Sequence, residues 1–317
     1  MCAKNFFYII LEVMRINSLN FNNFSAYKSE VNFGTTNRTL YEKRGGKRFI
    51  DKKYKMSAAP YGKDYYLSGK RVIYSNATCF LRGDLCGKSN TWENFTNIIL
   101  KCFPKDEKIN VYDFGCSDGS EAYSIAFSLI EKEGDGAKRF FPIKAIDRDP
   151  EIIKDIQNGT YAKEIDLKKI DAATKNNKDK YFIISKSGRE FLLKPKEILR
   201  RNIRFRTGDF VQELNNITGK NNLIFCRNFW RYLSEDEIRR ALEKLSKLDP
   251  STRIVLGSFD LCTDCETGRQ YPPKFFEEYG FVKDGTNFIL KKSDIEKPID
   301  YKLAKRYISN YLEPSMY

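Results

Sequence analysis

The chain reads VYDFGCSDGSEAYS from Val111 to Ser124. Apolar, β-favouring residues between Ile109 and Phe114 predict a buried strand. Gly115 and Gly119 permit a tight turn that larger side chains would block. Apolar residues then recur at helical spacing from Ala122 to Ile130. A strand, a glycine loop and a helix in this order direct backbone N–H groups towards a bound ligand, although an ordinary βα turn explains the loop equally well when it is taken alone.

A second short strand is predicted at residues 142–147 and ends in Asp147. A carboxylate at the end of such a strand accepts both hydroxyls of a ribose in dinucleotide-binding folds. A helix should follow, because Asp149 is a suitable N-cap and Pro150 a suitable first helical residue. The glycine spacing of the first loop is G-x-x-x-G rather than the G-x-G-x-x-G of nicotinamide binders. This spacing favours S-adenosyl-L-methionine as the cofactor.

Four motifs resemble, in order and spacing, those of the CheR-type glutamate O-methyltransferases of chemotaxis receptors. They are NATCFLR from Asn76, GCSDGSEAYS from Gly115, AIDRDPEIIKDIQNGTY from Ala145 and FCRNFWRYLS from Phe225. The resemblance implies an α/β, Rossmann-like class I methyltransferase fold, a doubly wound and mostly parallel sheet with an antiparallel last strand and a small inserted β-subdomain. It also implies S-adenosylmethionine as cofactor and a protein glutamate as methyl acceptor. The residues before Asn76 do not show the helical N-terminal domain that is usual in that family.

The motif positions supply a set of candidate site residues. For the cofactor they are Asn76, Thr78, Arg82, Gly115, Gly119, Glu121, Asp147, Asp209, Phe210, Asn228 and Phe229. By resemblance, Arg82 and Tyr232 are the candidate catalytic residues that place the reacting carboxylate, and an arginine suits a carboxylate because it offers a bidentate fork. Asp209 and Phe210 stand where the resembled family usually has Asn-Leu. An aspartate oxygen still accepts from the adenine amine, and a phenylalanine ring can flank the adenine.

The composition, with 41% hydrophobic and 31% charged residues, is typical of a soluble globular protein. Eight cysteines over this length predict reduced thiols in a cytoplasmic protein, and the lone C-x-x-C at residues 262–265 has no partner set for a metal. The chain contains no histidine, which excludes imidazole bases and histidine-ligated metals. Methylation of a carboxylate fits this restriction, because the acceptor is already ionised at neutral pH.

Three segments are predicted along the chain. Residues 1–75 form a basic, poorly ordered N-terminal region, residues 76–291 the methyltransferase domain, and residues 292–317 a C-terminal tail with no assigned role. The β-subdomain is placed at about 180–205, with strands at 181–184, 191–193 and 198–205. By resemblance it docks a peptide through strand addition, and otherwise it is a decorative insertion. The apolar run near the N-terminus is too short to cross a membrane, so no membrane insertion is expected.

Of the net charge of +14, most lies in residues 1–75, which carry 14 Lys and Arg against 5 Asp and Glu. This region is either a solvated, flexible basic arm or a surface that steers the chain towards an acidic helical protein, nucleic acid or an anionic membrane. The expected partner is a protein with an acidic helical segment, such as a chemoreceptor, and the chain is expected to act as a monomer. One alternative is a non-catalytic module of the same fold that binds cofactor or protein. Another is a methyltransferase for RNA or a different acceptor. RNA is disfavoured because no N-P-P-Y-like motif occurs and no aromatic residues are interleaved with the basic run.

Overall fold

The computed structural model describes residues 92–312, apart from 157, 189 and 264–268, together with four short strands between residues 37 and 55. The candidate residues Asn76, Thr78 and Arg82 lie outside the described residues. The four early strands are β1 (Asn37–Arg38), β2 (Tyr41–Arg44), β3 (Lys47–Ile50) and β4 (Tyr54–Lys55). Strand β1 pairs with β4, and β2 with β3, both antiparallel. The rest of the region predicted to be poorly ordered also lies outside the described residues.

The later elements comprise twelve strands and nine α-helices among the described residues. The strands are β5 (Asn110–Phe114), β6 (Ile143–Asp147), β7 (Thr160–Ala162), β8 (Phe182–Ser187), β9 (Glu190–Pro195), β10 (Ile203–Thr207), β11 (Asn222–Phe225), β12 (Arg253–Val255), β13 (Cys262–Thr263), β14 (Gln270–Tyr271), β15 (Phe281–Asp284) and β16 (Thr286–Lys292). The helices are α1 (Trp92–Lys101), α2 (Ser120–Glu133), α3 (Pro150–Ile156), α4 (Glu164–Ala173), α5 (Glu197–Arg200), α6 (Phe210–Glu213), α7 (Glu235–Leu245), α8 (Lys274–Glu278) and α9 (Tyr301–Leu312).

Seven strands form the central sheet in the order β10-β6-β5-β11-β12-β16-β15. The first five are parallel, and β16 joins β12 and β15 in antiparallel register. The predicted parallel pair is confirmed, because Tyr112 lies opposite Lys144 and Phe114 opposite Ile146. The chain leaves β5 towards β6 on one side and returns to β11 on the other. This reversal makes the carboxyl end of β5 the topological switch point, which is where ligands bind in such sheets.

The sheet is buried because helices pack along it. Helix α2 packs against α1 and α5, and α7 packs against α6 and α9. Strand β11 is buried at all four residues and β5 at four of its five, as expected for central strands covered on both faces. Helix α7 begins with a capping box in which Ser234 accepts from the Glu237 N–H and Glu237 accepts from the Ser234 N–H. The predicted doubly wound fold with an antiparallel ending is therefore confirmed.

A separate antiparallel sheet, ordered β7-β9-β8, forms the small β-subdomain. The hairpin of β8 and β9 contains the strands predicted at 181–184 and 191–193. The strand predicted at 198–205 is wrong, because α5 occupies its first part and β10 pairs with β6 in the central sheet. Strand β7 takes the third place. Its three residues are too few to show a period of two in the sequence, whereas the alternation in β10 does not reveal which sheet it joins.

The segment predicted as a tail without a role contains a packed helix. Helix α9 buries Ala304, Ile308 and Tyr311, and it packs against α7 and α8. Ser309 Oγ donates a hydrogen bond to Glu235 Oε2 at 2.9 Å. Among the described residues, none of the helices has the length and apolar character needed to cross a membrane.

Candidate functional site

Four loops meet at the carboxyl edge of the central sheet. They follow β5, β6, β10 and β11, which are neighbours in the sheet. Backbone hydrogen bonds join the first three, since Gly115 N–H donates to the Ile146 carbonyl at 2.8 Å and Gly208 N–H donates to the Asp147 carbonyl at 2.9 Å. Most of the site residues predicted from the sequence therefore lie on adjacent loops.

The loop after β5 depends on backbone conformations that favour glycine. Gly115 has φ of 70° and Gly119 has φ of 81°, a region that L side chains rarely adopt. A Cβ at Gly115 would lie 3.0 Å from Cδ1 of Phe229. Ser117, at the centre of the loop, also has a positive φ, of 47°. The loop is thus a tight turn that brings its backbone close to the ring of Phe229.

Polar side chains hold the second half of this loop in place. Ser120 Oγ and the Ser120 N–H both donate to Asp118 Oδ1, at 2.7 and 3.1 Å. Thr160 Oγ1 donates to the Asp118 carbonyl at 2.7 Å. These bonds tie the start of α2 to β7, so the β-subdomain contributes directly to the shape of the glycine loop.

Asp147 lies at the end of β6 with its carboxylate aimed by backbone donors. Its Oδ2 accepts from the Ser117 N–H at 2.9 Å and its Oδ1 from the Asp149 N–H at 3.0 Å. Burial raises the pKa of the Asp147 carboxyl, and the N–H groups of Asp149 and Ser117 partly offset that rise. Each oxygen of an ionised carboxylate has two acceptor sites. With backbone donors from Ser117, Arg148 and Asp149, the Asp147 carboxylate still has acceptor capacity for a ligand hydroxyl.

A buried ion pair connects the loop after β11 to the start of α2. Arg227 Nη1 donates to Glu121 Oε2 at 2.6 Å, and the two side chains are 3% and 13% exposed. The Arg227 guanidinium is thus directed at Glu121. The pair holds the two loops that flank the switch point against each other.

Asp113 is a buried acid behind the glycine loop. It is 1% exposed, and neither carboxyl oxygen has a hydrogen-bond partner among the described residues. Burial raises the pKa of Asp113 well above its usual value, and the nearby Glu121 and Asp147 carboxylates raise it further, against the opposing charge of Arg227. Burial and the neighbouring carboxylates thus both favour the neutral form of this carboxyl.

The turn after β11 carries three of the predicted residues. Asn228 is buried and has φ of 62°, Phe229 lies against Gly115, and Tyr232 ends a short 3-10 helix at Trp230–Tyr232. The carboxylate of Asp260 accepts from the backbone N–H groups of Asn228 and Trp230. Asn228 and Tyr232 therefore lie on one turn, whose backbone is held by a side chain from a later part of the chain.

Asp209 and Phe210, the two residues predicted to contact the adenine, occupy different environments. Asp209 is the N-cap of α6, and its Oδ1 accepts from the Gln212 N–H at 3.1 Å. Phe210 is 8% exposed, and its ring meets those of Phe114 and Phe229 edge to face at 5.0 Å. Asp209 keeps acceptor capacity on its second oxygen, while Phe210 mainly packs the wall behind the glycine loop.

The sequence did not predict the roles that three residues have in this site. They are Asp113, Asp260 and Arg227 as the partner of Glu121. Asp113 could have been found from the sequence, because it is an acid in the apolar run of β5, two residues before Gly115. The other two act through contacts between distant parts of the chain, which local pattern does not reveal.

The sequence is similar to those of known methyltransferases. Residues 76–269 match the family model described as CheR methyltransferase, SAM binding domain. The chemotaxis protein methyltransferase of Salmonella typhimurium strain LT2 is 26% identical over 142 residues, covering 44% of this chain and 48% of that protein. The chemotaxis protein methyltransferase of Listeria monocytogenes serovar 1/2a is 26% identical over 178 residues, covering 56% of this chain and 61% of that protein. The chain thus spans 48% and 61% of the length of these two relatives.

Among solved structures, magnesium protoporphyrin IX methyltransferase from Synechocystis PCC 6803 with bound SAH is 13% identical, with a TM-score of 0.33, and the match covers 64% of this chain and 82% of that one. The family model covers more than half of the 317 residues. Its first matched residue is also the one at which the sequence placed the start of the methyltransferase domain. The chain belongs to the CheR methyltransferase family, whose S-adenosylmethionine-binding domain is residues 76–269.

Proposed function

We propose that the protein transfers a methyl group from S-adenosylmethionine to the side-chain carboxylate of a glutamate in another protein. The observation that carries this proposal is the convergence of the glycine loop, Asp147 and Asn228 at the switch point of a CheR-family domain. The two relatives described above are named chemotaxis protein methyltransferases, which supports a protein acceptor.

The residues present fit the cofactor. When bound, S-adenosylmethionine supplies an electrophilic methyl group on a sulfonium. We assign the ribose hydroxyls to Asp147, whose carboxylate lies at the end of β6 and is held beside the glycine loop by the Ser117 N–H. Gly115 and Gly119, which have no Cβ, allow the positive-φ turn and its close packing against Phe229 and Phe205. Asp209 supplies an acceptor for the adenine amine, and Asn228 a partner for the methionine end.

The acceptor carboxylate needs positioning rather than deprotonation. It is ionised at neutral pH, and the chain has no histidine to act as a base. Tyr232 and, by its motif, Arg82 would hold the two carboxylate oxygens in line, an effect of orientation that is worth several orders of magnitude in rate. Because Arg227 is paired with Glu121, we assign substrate binding to Arg82 rather than to Arg227.

Charge supports an acidic protein as the partner. Residues 160–207, which include the β-subdomain and β10, contain 14 Lys and Arg against 6 Asp and Glu. Arg201, Arg204 and Arg206 are exposed along this segment. A surface of one sign accelerates encounter with a partner of the opposite sign. An acidic helical segment, such as that of a chemoreceptor, is therefore the proposed substrate, and a cytoplasmic monomer is the proposed active form.

The stability of the product tests the acceptor. The protein is incubated with methyl-labelled cofactor and a lysate of the native host, and labelled protein is then held at mildly alkaline pH. A glutamyl methyl ester releases methanol under these conditions, whereas methyl-lysine, methyl-arginine and methylated bases do not. Release of volatile label supports the proposal. Base-stable label on protein, or label on RNA, overturns the glutamate assignment.

A matched pair of variants tests the residue roles. Tyr232→Phe should lower turnover by about tenfold or more and leave the affinity for S-adenosylhomocysteine nearly unchanged, because the hydroxyl is assigned to the acceptor. Tyr307→Phe is the control, since Tyr307 lies on α9 beneath Lys274. Equal turnover of the two variants would show that the Tyr232 hydroxyl does not position the acceptor carboxylate.

A further inference from the structure

The turn after β11 adopts a backbone conformation that needs external support. Asn228 has φ of 62°, in the left-handed region. Asparagine tolerates this region better than most residues, yet the conformation persists only where surrounding contacts impose it. The position of the Asn228 side chain in the site therefore depends on what holds the backbone on either side of it.

Asp260 holds the backbone of this turn through hydrogen bonds. Its Oδ2 accepts from the Asn228 N–H at 2.5 Å and from the Gly257 N–H at 2.8 Å, and its Oδ1 accepts from the Trp230 N–H at 3.2 Å. The residue is 1% exposed. One buried carboxylate thus joins the turn after β11 to the turn after β12, and it satisfies three backbone donors that would otherwise be buried without partners.

Two further contacts leave the turn little freedom. A Cβ at Gly257 would overlap the side-chain amide of Asn228, so the two turns are in close backbone contact. The Trp230 indole Nε1 donates to the Cys226 carbonyl at 2.9 Å and closes the turn from its other end. The turn is therefore fixed on both sides, with Asp260 as its charged attachment.

We propose that Asp260 is a positioning residue of the cofactor site, which fixes the turn from Asn228 to Trp230 through three backbone hydrogen bonds and thereby sets the affinity for S-adenosylmethionine. The inference rests on the proposed contact of Asn228 and Phe229 with the cofactor. Asp260 itself need not touch the ligand, because it acts through the residues that it holds.

This role makes the affinity depend on pH. Burial raises the pKa of Asp260 to about 7. The three backbone N–H groups and the charge of Arg227 limit this rise, because they favour the ionised form. The other titratable or charged groups around it are Cys226, Tyr311 and, against the Tyr311 ring, Arg231. The pKa values of Cys226 and Tyr311 are raised by burial, so both stay neutral near pH 7. An ionised carboxylate accepts more strongly than a protonated one, so affinity should rise with pH through neutrality.

Calorimetric titration with S-adenosylhomocysteine from pH 5.5 to 8.5 tests the proposal on the full chain. Asp260→Asn should bind about tenfold more weakly than the wild type at the upper pH, because a charge-assisted acceptor is lost. It should also lack the rise in affinity through neutrality. Asp166→Asn is the matched control, since Asp166 is a 5% exposed carboxylate that accepts the Lys163 N–H at 2.9 Å, in the cap of α4. Its profile should follow the wild type. Wild-type affinity and pH profile in Asp260→Asn would overturn the proposal.

A second variant covers the case in which Asp260→Asn does not fold. Asp260→Glu keeps an ionisable acceptor, so it should bind more weakly than the wild type and still gain affinity as the pH rises. A flat profile in this variant overturns the proposal. The glutamate assignment fails by a different result, base-stable label, which these titrations do not measure, so the two failures are distinguishable.

Discussion

At the scale of single residues, Asp147 is the clearest determinant of cofactor affinity. Two backbone N–H groups aim its oxygens at the edge of the sheet, so its orientation does not depend on the ligand. We expect Asp147→Ala to weaken S-adenosylhomocysteine binding by about 2 kcal/mol, because a charge-assisted acceptor is removed and ribose hydroxyls lose their partner. Calorimetry measures this loss. Asp135→Ala, at a 94% exposed side chain, is the control and should bind normally. An unchanged affinity in Asp147→Ala would contradict the ribose assignment.

Gly115 combines a strained backbone with a close neighbour. Gly115→Ala should lose about 1–2 kcal/mol of stability, because an L side chain disfavours φ of 70°. It should also bind S-adenosylhomocysteine more weakly, since the new Cβ displaces Phe229. Gly280→Ala is the matched control, because Gly280 has φ of 80° with nothing within 4 Å of the added Cβ. Urea unfolding and calorimetry should show similar destabilisation of both variants and a loss of affinity in Gly115→Ala alone. Equal affinities would mean that Phe229 is not part of the site.

The Arg227–Glu121 pair is buried, so removing one partner leaves a charge without compensation. Arg227→Ala should cost about 3–5 kcal/mol of stability, because the Glu121 carboxylate loses the guanidinium that compensates its charge. The double variant Glu121→Gln, Arg227→Met should cost less, because both charges are gone. Denaturant unfolding of the two proteins measures the difference. A double variant that is less stable than Arg227→Ala would show that the ion pair itself is strongly stabilising.

At the scale of elements, local pattern was sufficient where an element has an unambiguous signature. The apolar run of β5 followed by glycines, and the Asp149-Pro150 start of α3, both predicted the observed element. The third strand of the β-subdomain was not predictable in this way. Strand β10 shows the alternation of a strand, yet its pairing with β6 is set by packing in the central sheet. Period and propensity identify a strand, and its neighbours decide which sheet it joins.

In the candidate site, too, residues beside predicted strands could be located from the sequence, whereas contacts between distant parts of the chain could not. The glycine loop, Asp147 and Asn228 lie next to strands that the sequence reveals, so their convergence was predictable. Asp260 acts on Asn228 across 32 residues. Arg227 reaches Glu121 across 106 residues. Such partners depend on the order of strands in the sheet, which a single sequence does not specify.

Helix α9 lies beyond the family-matched residues and still belongs to the packed core. Ile308 is 1% exposed. We expect Ile308→Ala to lower the free energy of unfolding by about 2–4 kcal/mol, because a buried side chain is replaced by a cavity. Ile295→Ala, at a residue that is 78% exposed, is the control and should change stability little. Equal denaturant midpoints for the two variants would show that α9 is not docked in solution.

At the scale of the whole molecule, several buried acids have pKa values that folding raises, so their ionisation destabilises the folded protein. The pKa values of Asp113, Asp147 and Asp260 are all raised, with burial as the largest cause. A group whose pKa is raised on folding stabilises the protein below its unfolded pKa, and this contribution is lost as the pH rises through the folded value. Glu131 and Glu213 have lowered pKa values and act in the opposite direction, but they are part of solvent-screened pairs, which contribute little.

The contribution of Asp260 to the pH dependence of stability can be measured. Its pKa rises from 3.8 to about 7 on folding, so its stabilising contribution should fall by about 2–3 kcal/mol between pH 5 and pH 8. Asp260→Asn does not titrate, and the stability of the wild type relative to this variant should therefore decrease by that amount over the interval. Urea unfolding at the two pH values measures the change, and subtracting the variant cancels the effect of the other acids. Asp135→Asn, at an exposed carboxylate, is the control, whose difference from the wild type should stay nearly constant over this interval. A wild-type advantage that stays constant or grows with pH would show that Asp260 is ionised in the folded protein throughout this range, because its three backbone donors would then outweigh the cost of burial.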